Sequence, residues 1–325
     1  MPITTKELAE RLGLSPSTVS RVLSDAPGHR VSTQTRRRVL EAAAELEHRP
    51  NAVARSLRRG RTGVVGLYTR HNYDARNEFL GAVLGGLQRA CGRRQLDLLL
   101  FNGLDGRDPA AIAARLGDGR IDGLLLHAGL DDPVLAHLGD LPRVAVADPL
   151  PGVPTIGCDD TGGLTLLIDH LWLKGYRRYR FLAPGIALGS VARRLAAFEA
   201  ELAGRGLARA ERRVLRVPFE SPQPVLAELT AQPGPLAVCC WNDRTAYELL
   251  KACAATGLEV PGRLAVTGFD GFLDTKVPAR RLVTVACPWD LVAEAALDTL
   301  SELLAGQAVT GERLLGVRLV EGDTA

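Results

Sequence analysis

The 325-residue chain is about twice the length of one ordinary domain, so two or three folding units are expected and a single small module is excluded. Hydrophobic residues make up 46% and charged residues 24%, which is ordinary soluble usage and excludes a disordered chain. No apolar run nears the roughly 18 residues of a membrane span, and the opening MPITTKELAERL lacks a secretory signal pattern, so a cytoplasmic protein with no membrane partner is expected.

The net charge of +3 hides an asymmetry: residues 1–62 carry +6 and the remainder −3. A cationic head on a mildly anionic body suggests a nucleic-acid-facing module, although a merely solvated basic surface would look the same on charge alone. Cys91, Cys158, Cys239, Cys240, Cys253 and Cys287 fall in apolar runs with no C-x-x-C or Cys/His ligand spacing. They read as reduced core thiols rather than metal ligands.

In chain order, Thr5 is a candidate cap for a short helix ending at Leu12, with Leu8, Ala9 and Leu12 on one face. Gly13 then permits a tight turn. Ser15 is a good N-cap and Pro16 suits the first helical position, which predicts a second helix to about Leu23 that buries Val19, Val22 and Leu23. Ser32 should cap a third helix from Thr33 to about Leu46, with Val39, Leu40, Ala43 and Leu46 inward and Arg36, Arg37 and Arg38 outward. The first two helices have helix-turn-helix spacing. Residues 50–61, PNAVARSLRRGR, join this head (1–49) to a body (62–325), and could be plain linker.

Beyond residue 62 the pattern changes to apolar runs separated by amphipathic stretches. The runs are Val64–Leu67, Leu96–Phe101, Gly123–Leu126, Arg143–Ala147, Tyr179–Ala183, Leu236–Trp241, Leu264–Phe269 and Leu282–Cys287. Near-continuous apolar strands alternating with helices predict parallel sheets covered on both faces, either as one barrel or as two doubly wound lobes. No G-x-G-x-x-G, P-loop, H-E-x-x-H or G-x-S-x-G occurs, so no cofactor, metal or catalytic residue is called for.

The stretches TTKELAERLGLSPSTVSRVL, VSTQTRRRVLEAAAEL and RPNAVARSLRRGRTGVVGL occur in order, and with them the chain resembles the LacI/GalR (lactose and galactose repressor) family. The likeness continues through GCDDTGG, the R-x-x-A-F of Arg194 to Phe198, WNDRTA, LEVPGRLAVTGFDG and RRLVTVACPWDLVAEAALDTL. It implies a homodimeric transcription factor that is not an enzyme. An all-α helix-turn-helix head of the lambda-repressor type and a hinge helix at 50–61 would precede a periplasmic-binding-protein-like α/β core of two doubly wound parallel-sheet lobes. The N-lobe would take about 62–159 and 289–316, the C-lobe about 160–288 and 317–325, with crossings near 160, 288 and 316. Because the chain stops at Ala325 just after the last strand, a dimer is expected rather than a tetramer.

A recognition helix reads base edges with the exposed residues of its first turns, here Pro16, Ser17 and Arg21, while Ser15, Thr18 and Ser20 can reach the backbone of double-stranded DNA. Arg21 offers a fork matched to guanine, or else a phosphate contact. Within the hinge, Asn51, Ala54, Arg55 and Arg58 join the DNA-facing set, and the resemblance places at Leu57 the leucine that enters the minor groove at the operator dyad. An apolar wedge unstacks a base step most easily at pyrimidine–purine steps. The arginines of this segment should neutralise phosphates and make binding salt-dependent.

Ligands of doubly wound sheets bind beyond the carboxyl ends of strands. That rule selects Asp148, Ser190, Arg194, Asn242, Asp243 and Asp270, and the resemblance independently picks all of these but Asp243. Carboxylates, an amide and a guanidinium suit the vicinal hydroxyls of a sugar or polyol effector. Trp241 stands where the family usually has a small residue; it either stacks on a ligand or fills the cleft. Phe79 falls where the family has an aromatic at the cleft mouth. Asp243, Asp159 and Asp160 read as helix caps, and surface pairing with Glu199 or Asp169 is the alternative for Arg194. Rival readings are an orphan regulator answering to a protein partner, a stand-alone sugar-binding protein and an α/β enzyme.

Overall fold

The computed structural model describes residues 3–24, 31–48, 56, 59–70, 77–101, 106–218, 221–231, 234–272 and 280–325. The chain divides into two compact units, Met1–Thr62 and Gly63–Ala325.

The first unit contains α1 (Thr5–Leu12), α2 (Pro16–Ser24) and α3 (Thr33–Glu45). The cap of α1 is Thr4 rather than Thr5: Glu7 N–H donates to Thr4 Oγ1 at 3.2 Å, and Glu7 Oε2 accepts from Thr4 N–H at 2.8 Å. The reciprocal bonds need a carboxylate three residues beyond the cap, which Glu7 supplies for Thr4. Gly13 ends the helix at φ 64°, a left-handed conformation that a glycine adopts without strain. Ser15 Oγ accepts Thr18 N–H at 3.1 Å at the start of α2, and Ser32 Oγ accepts Thr35 N–H at 3.1 Å at the start of α3. Leu8, Ala9, Val19, Val22, Val39 and Ala43 form the core of this unit, with Leu23 and Leu46 packed at its margin. Leu40 is not part of it: it is 47% exposed, because Val39 and Ala43 already take the inward face of α3.

In the second unit, β1 (Val64–Thr69), β2 (Asp97–Leu100), β3 (Gly123–His127), β4 (Arg143–Val146), β5 (Thr155–Cys158) and β11 (Glu312–Leu315) form one all-parallel sheet in the order β11-β5-β4-β3-β1-β2. A second parallel sheet orders β7 (Arg212–Val217), β6 (Tyr179–Pro184), β8 (Leu236–Cys240) and β9 (Leu264–Thr267) as β7-β6-β8-β9. Beside β9, β10 (Thr284–Ala286) pairs antiparallel with β12 (Arg318–Val320). Two doubly wound sheets, not one barrel, resolve the choice that composition left open.

All eight apolar runs hold strands. The four strands outside them have weaker signals: β7 reads RRVLRV and β11 reads ERLL, both edge strands with charged residues in water, while β5 and β12 are four and three residues long.

The helices cover both faces of each sheet. They are α4 (Glu78–Arg94), α5 (Pro109–Leu116), α6 (Asp160–Leu173), α7 (Gly189–Gly204), α8 (Gln223–Ala231), α9 (Asp243–Thr256) and α10 (Trp289–Leu304). The six-stranded sheet with α4, α5 and α10 makes the N-lobe; the other sheet with α6 to α9 makes the C-lobe. Gly86 of α4 lies so close to α10 that an added Cβ would sit 2.6 Å from Asp290 O, and Arg93–Glu294 (2.8 Å) and Arg89–Asp290 (3.1 Å) line the contact. The chain passes between lobes at Asp159, after β5; at Cys287–Pro288, after β10; and at Gly316–Val317, after β11.

Candidate functional site

A cavity of about 670 Å³ lies between the lobes at the carboxyl ends of the strands. Phe79, Asp148, Ser190, Arg194, Trp241, Asn242 and Asp270, all named from sequence, line it. Two of the positions that shape it depart from ordinary backbone geometry: Ala147 has φ 70° and Asp270 has φ 130°. Non-glycine residues in these regions cost on the order of 1–3 kcal/mol each and persist where surrounding contacts impose them.

Asp148 leaves the end of β4 and reaches across the cleft. Its Oδ1 accepts Ser190 N–H at 2.8 Å and Ser190 Oγ–H at 2.7 Å. The local cap residue of α7, Leu188, has no side-chain oxygen, so a carboxylate of the other lobe does that work. The second oxygen of Asp148 lies 3.6 Å from His127 Nδ1.

Arg194 is buried and held on three sides. Its Nε donates to Asp160 Oδ1 at 2.8 Å, one terminal nitrogen donates to the Trp241 carbonyl at 2.5 Å, and the guanidinium lies 3.8 Å from the Phe269 ring centroid. The other terminal nitrogen is 3.9 Å from Asp270 Oδ1. Burial works against the guanidinium charge, but Asp160 and Asp270 outweigh it and raise its pKa. Asp160 is therefore an ion-pair partner and not a cap; it also binds Arg193 at 2.8 Å, while Asp159 alone caps α6 through Gly162 N–H at 2.9 Å. The surface alternatives for Arg194 are taken up elsewhere, since Glu199 pairs with Arg212 and Asp169 with Arg205.

The cap of α9 is Asn242, whose Oδ1 accepts Thr245 N–H at 2.8 Å, rather than Asp243. Asp243 is buried against the cavity, accepting from Thr284 Oγ1–H and, at 2.6 Å, from Phe272 N–H. Burial raises its carboxyl to about 7 despite these bonds and the Arg194 charge. Asp270 is likewise pushed well above the usual carboxylate range by burial and by Asp243 and Asp160, with Arg194 opposing. Trp241 packs in the C-lobe core and also lines the cavity. Phe79 meets His127 and Trp289, each at 4.8 Å between ring centroids.

Sequence reasoning missed His127, Tyr247, Phe272 and Trp289 on the wall. The strand-end rule could have found His127, the last residue of β3. Nothing local marks the other three. Among the described residues, no group of three or more His, Cys, Asp or Glu could hold a metal, and no helix is long and apolar enough to cross a membrane.

In the first unit, Ser15 just before α2 and Pro16, Ser17 and Arg21 on it are exposed, and Thr18 and Ser20 are half-buried. Ser15 Oγ is also 2.8 Å from the hydroxyls of Ser17 and Thr18, so three hydroxyls cluster at the start of this helix. Asn51, Ala54, Arg55, Leu57 and Arg58 lie outside the described residues.

Residues 4–51 match the family model described as bacterial regulatory proteins, lacI family, and residues 168–325 match that of a periplasmic binding protein-like domain. The HTH-type transcriptional regulator PtxS of Pseudomonas plecoglossicida is 30% identical, across 96% of this chain and 92% of its own length. This chain belongs to the LacI family. The lactose operon repressor of Escherichia coli (strain K12) is 28% identical across 99% of this LacI-family chain and 91% of its own. A crystal structure of the lac repressor dimer bound to operator and the anti-inducer ONPF superimposes with a TM-score of 0.85 at 26% identity, covering 100% of this chain and 99% of the other. These relatives are DNA-binding transcriptional regulators, not enzymes, and this LacI-family chain is one as well.

Proposed function

We propose that the protein represses transcription as a homodimer on a palindromic duplex operator and responds to a sugar or sugar-derived effector held between the two lobes. The observation that supports the effector reading is that seven residues singled out by the sequence, Phe79, Asp148, Ser190, Arg194, Trp241, Asn242 and Asp270, line one cavity of about 670 Å³. Asp270, Arg194, Asn242 and Asp148 offer acceptors and donors at close spacing, which matches adjacent hydroxyls, and the aromatic walls suit the apolar faces of a pyranose.

On the DNA side, Arg21 and Ser17 of α2 read bases, and Leu57 with Arg55 and Arg58 works at the dyad. The switch is a population shift: a ligand that prefers one lobe arrangement changes how readily two hinge segments fold together on DNA. Coupling of about 1–3 kcal/mol is enough for a useful response.

The test joins footprinting with an effector screen. The protein should protect a symmetric duplex site, and neutral sugars screened by thermal shift should raise the wild-type midpoint but not that of Asp270→Ala. Protection of no symmetric site overturns the operator reading; equal stabilisation of wild type and Asp270→Ala misplaces the effector.

A further inference from the structure

Arg193 is not among the residues that line the cavity, yet its guanidinium holds parts of both lobes from behind it. From α7 of the C-lobe, its Nε donates to Asp160 Oδ2 at 2.9 Å, and Nη2 lies 2.8 Å from the same oxygen. Asp160 gives its other oxygen to Arg194, so one buried carboxylate is shared by a cavity arginine and by the arginine behind it. Nη2 also donates across the cleft to the Ala147 carbonyl at 3.3 Å. Nη1 donates to Glu312 of β11 in the N-lobe, at 3.2 and 3.3 Å from its two oxygens.

Ala147 is where the chain most needs holding. It is the centre of a three-residue turn in which Asp148 N–H donates to the Val146 carbonyl at 2.9 Å, with Ala147 at φ 70°. A turn of this hand is rare and strained, so surrounding contacts must impose it. The Ala147 N–H goes to the Ile156 carbonyl at 2.8 Å, and its own carbonyl accepts from Arg193. These bonds fix the turn that aims Asp148 at Ser190. Gly157 of β5 leaves room for the fork, since a Cβ there would lie 3.1 Å from Ala147 O and 3.6 Å from Arg193 Nη2.

We propose that Arg193 is a positioning residue of the effector site. On the C-lobe side it holds Asp160 and, through it, Arg194; on the N-lobe side it holds the turn that carries Asp148, with Glu312 as its anchor. This rests on the effector reading above. The planar fork is what the place requires: three nitrogens meet three acceptor groups from two lobes, which the point charge of a lysine cannot do. Arg193 is half-buried and Glu312 exposed, so the anchoring pair is the weaker end of the chain of contacts and Asp160 the stronger. Because the fork spans both lobes, its bonds exist only in this lobe arrangement. A ligand that prefers the same arrangement and the Arg193 contacts therefore reinforce each other.

The test uses the full-length protein, with D-glucose, D-galactose and D-ribose as probes. For any of these that raises the wild-type thermal midpoint, Arg193→Met should weaken binding about tenfold and Glu312→Gln about threefold, although neither side chain lines the cavity. Arg193→Lys should not restore it. Arg193→Met combined with Asp148→Ala should cost less affinity than the two losses summed, since one acts through the other. Without sugar, hydrogen exchange of Arg193→Met should rise on the order of tenfold in peptides covering 144–150 and 188–192, and less in Glu312→Gln, while peptides of β6 and β8 stay unchanged. Glu312→Gln, an isosteric change on an edge strand, keeps the test decisive if Arg193→Met fails to fold. Unchanged exchange in both variants, or wild-type sugar affinity in Arg193→Met, overturns the role given to Arg193 and leaves the effector reading standing. Sugars that stabilise nothing count against the effector reading, and exchange then decides by itself whether Arg193 holds the turn.

Discussion

Asp148 and Ser190 meet across the cleft: one carboxylate oxygen accepts both the backbone N–H and the hydroxyl of Ser190, at 2.8 and 2.7 Å. The N-lobe thus caps a C-lobe helix. Asp148→Ala should lower stability by about 1–3 kcal/mol, because it leaves a buried helix N-terminus without its acceptor. Ser190→Ala, which keeps the backbone bond, should cost about half as much. Denaturant midpoints separate the two, and equal effects would refute the trans-lobe cap.

Arg194 offsets two buried carboxylates, Asp160 and Asp270. Arg194→Met should destabilise by about 3–5 kcal/mol, since it leaves these groups uncompensated. Lysine should not rescue it, because a point charge cannot reach Asp160, the Trp241 carbonyl and the Phe269 face at once. Urea unfolding of the two variants checks this.

Asp243 has a folded-state pKa of about 7, raised by burial. Between its unfolded value of about 4 and this value, the folded protein binds more protons than the unfolded chain, so its contribution to stability falls as pH rises through that window. Asp243→Asn keeps one acceptor oxygen for Phe272 N–H and removes the titration. The stability of Asp243→Asn relative to wild type should therefore climb from pH 4.5 to 7.5. Denaturant midpoints across that range measure it, and a flat difference would contradict the buried titration.

Gly163 of α6 faces Phe269, whose ring lies under Arg194; a Cβ on Gly163 would fall 2.6 Å from Phe269 Cζ. Gly163→Ala should cost about 1–3 kcal/mol by overpacking and weaken effector binding with it, since the ring that supports the guanidinium must move. Thermal midpoint and ligand titration on the same sample test both halves.

The head should bind DNA with a steep negative dependence of log affinity on log salt, on the order of −6 to −10 for a dimer. Arg21→Ala should relax base preference by about 1–3 kcal/mol at one position if it reads guanine, and lower affinity uniformly if it holds phosphate. Binding-site selection at two salt concentrations distinguishes the outcomes.

What the sequence determined by itself was much of what local chemistry sets. Apolar runs mark eight strands, Ser15 and Ser32 mark helix starts, and the rule that ligands sit beyond strand ends selects Asp148, Ser190, Arg194, Asn242, Asp243 and Asp270 on the cavity wall. The capping box of Thr4 with Glu7 is equally local, and its cap stands one residue before the Thr5 that the sequence favours. Tertiary structure alone decided who partners whom. Asp160 as the counter-ion of Arg194, Asp148 as the cap at Ser190 42 residues further on, and Trp289 on the cavity wall follow from chain crossings that bring distant segments together. Side-chain identity carries no record of such approach: a buried carboxylate looks like any other until the fold removes its water and supplies a guanidinium or an N–H in its place.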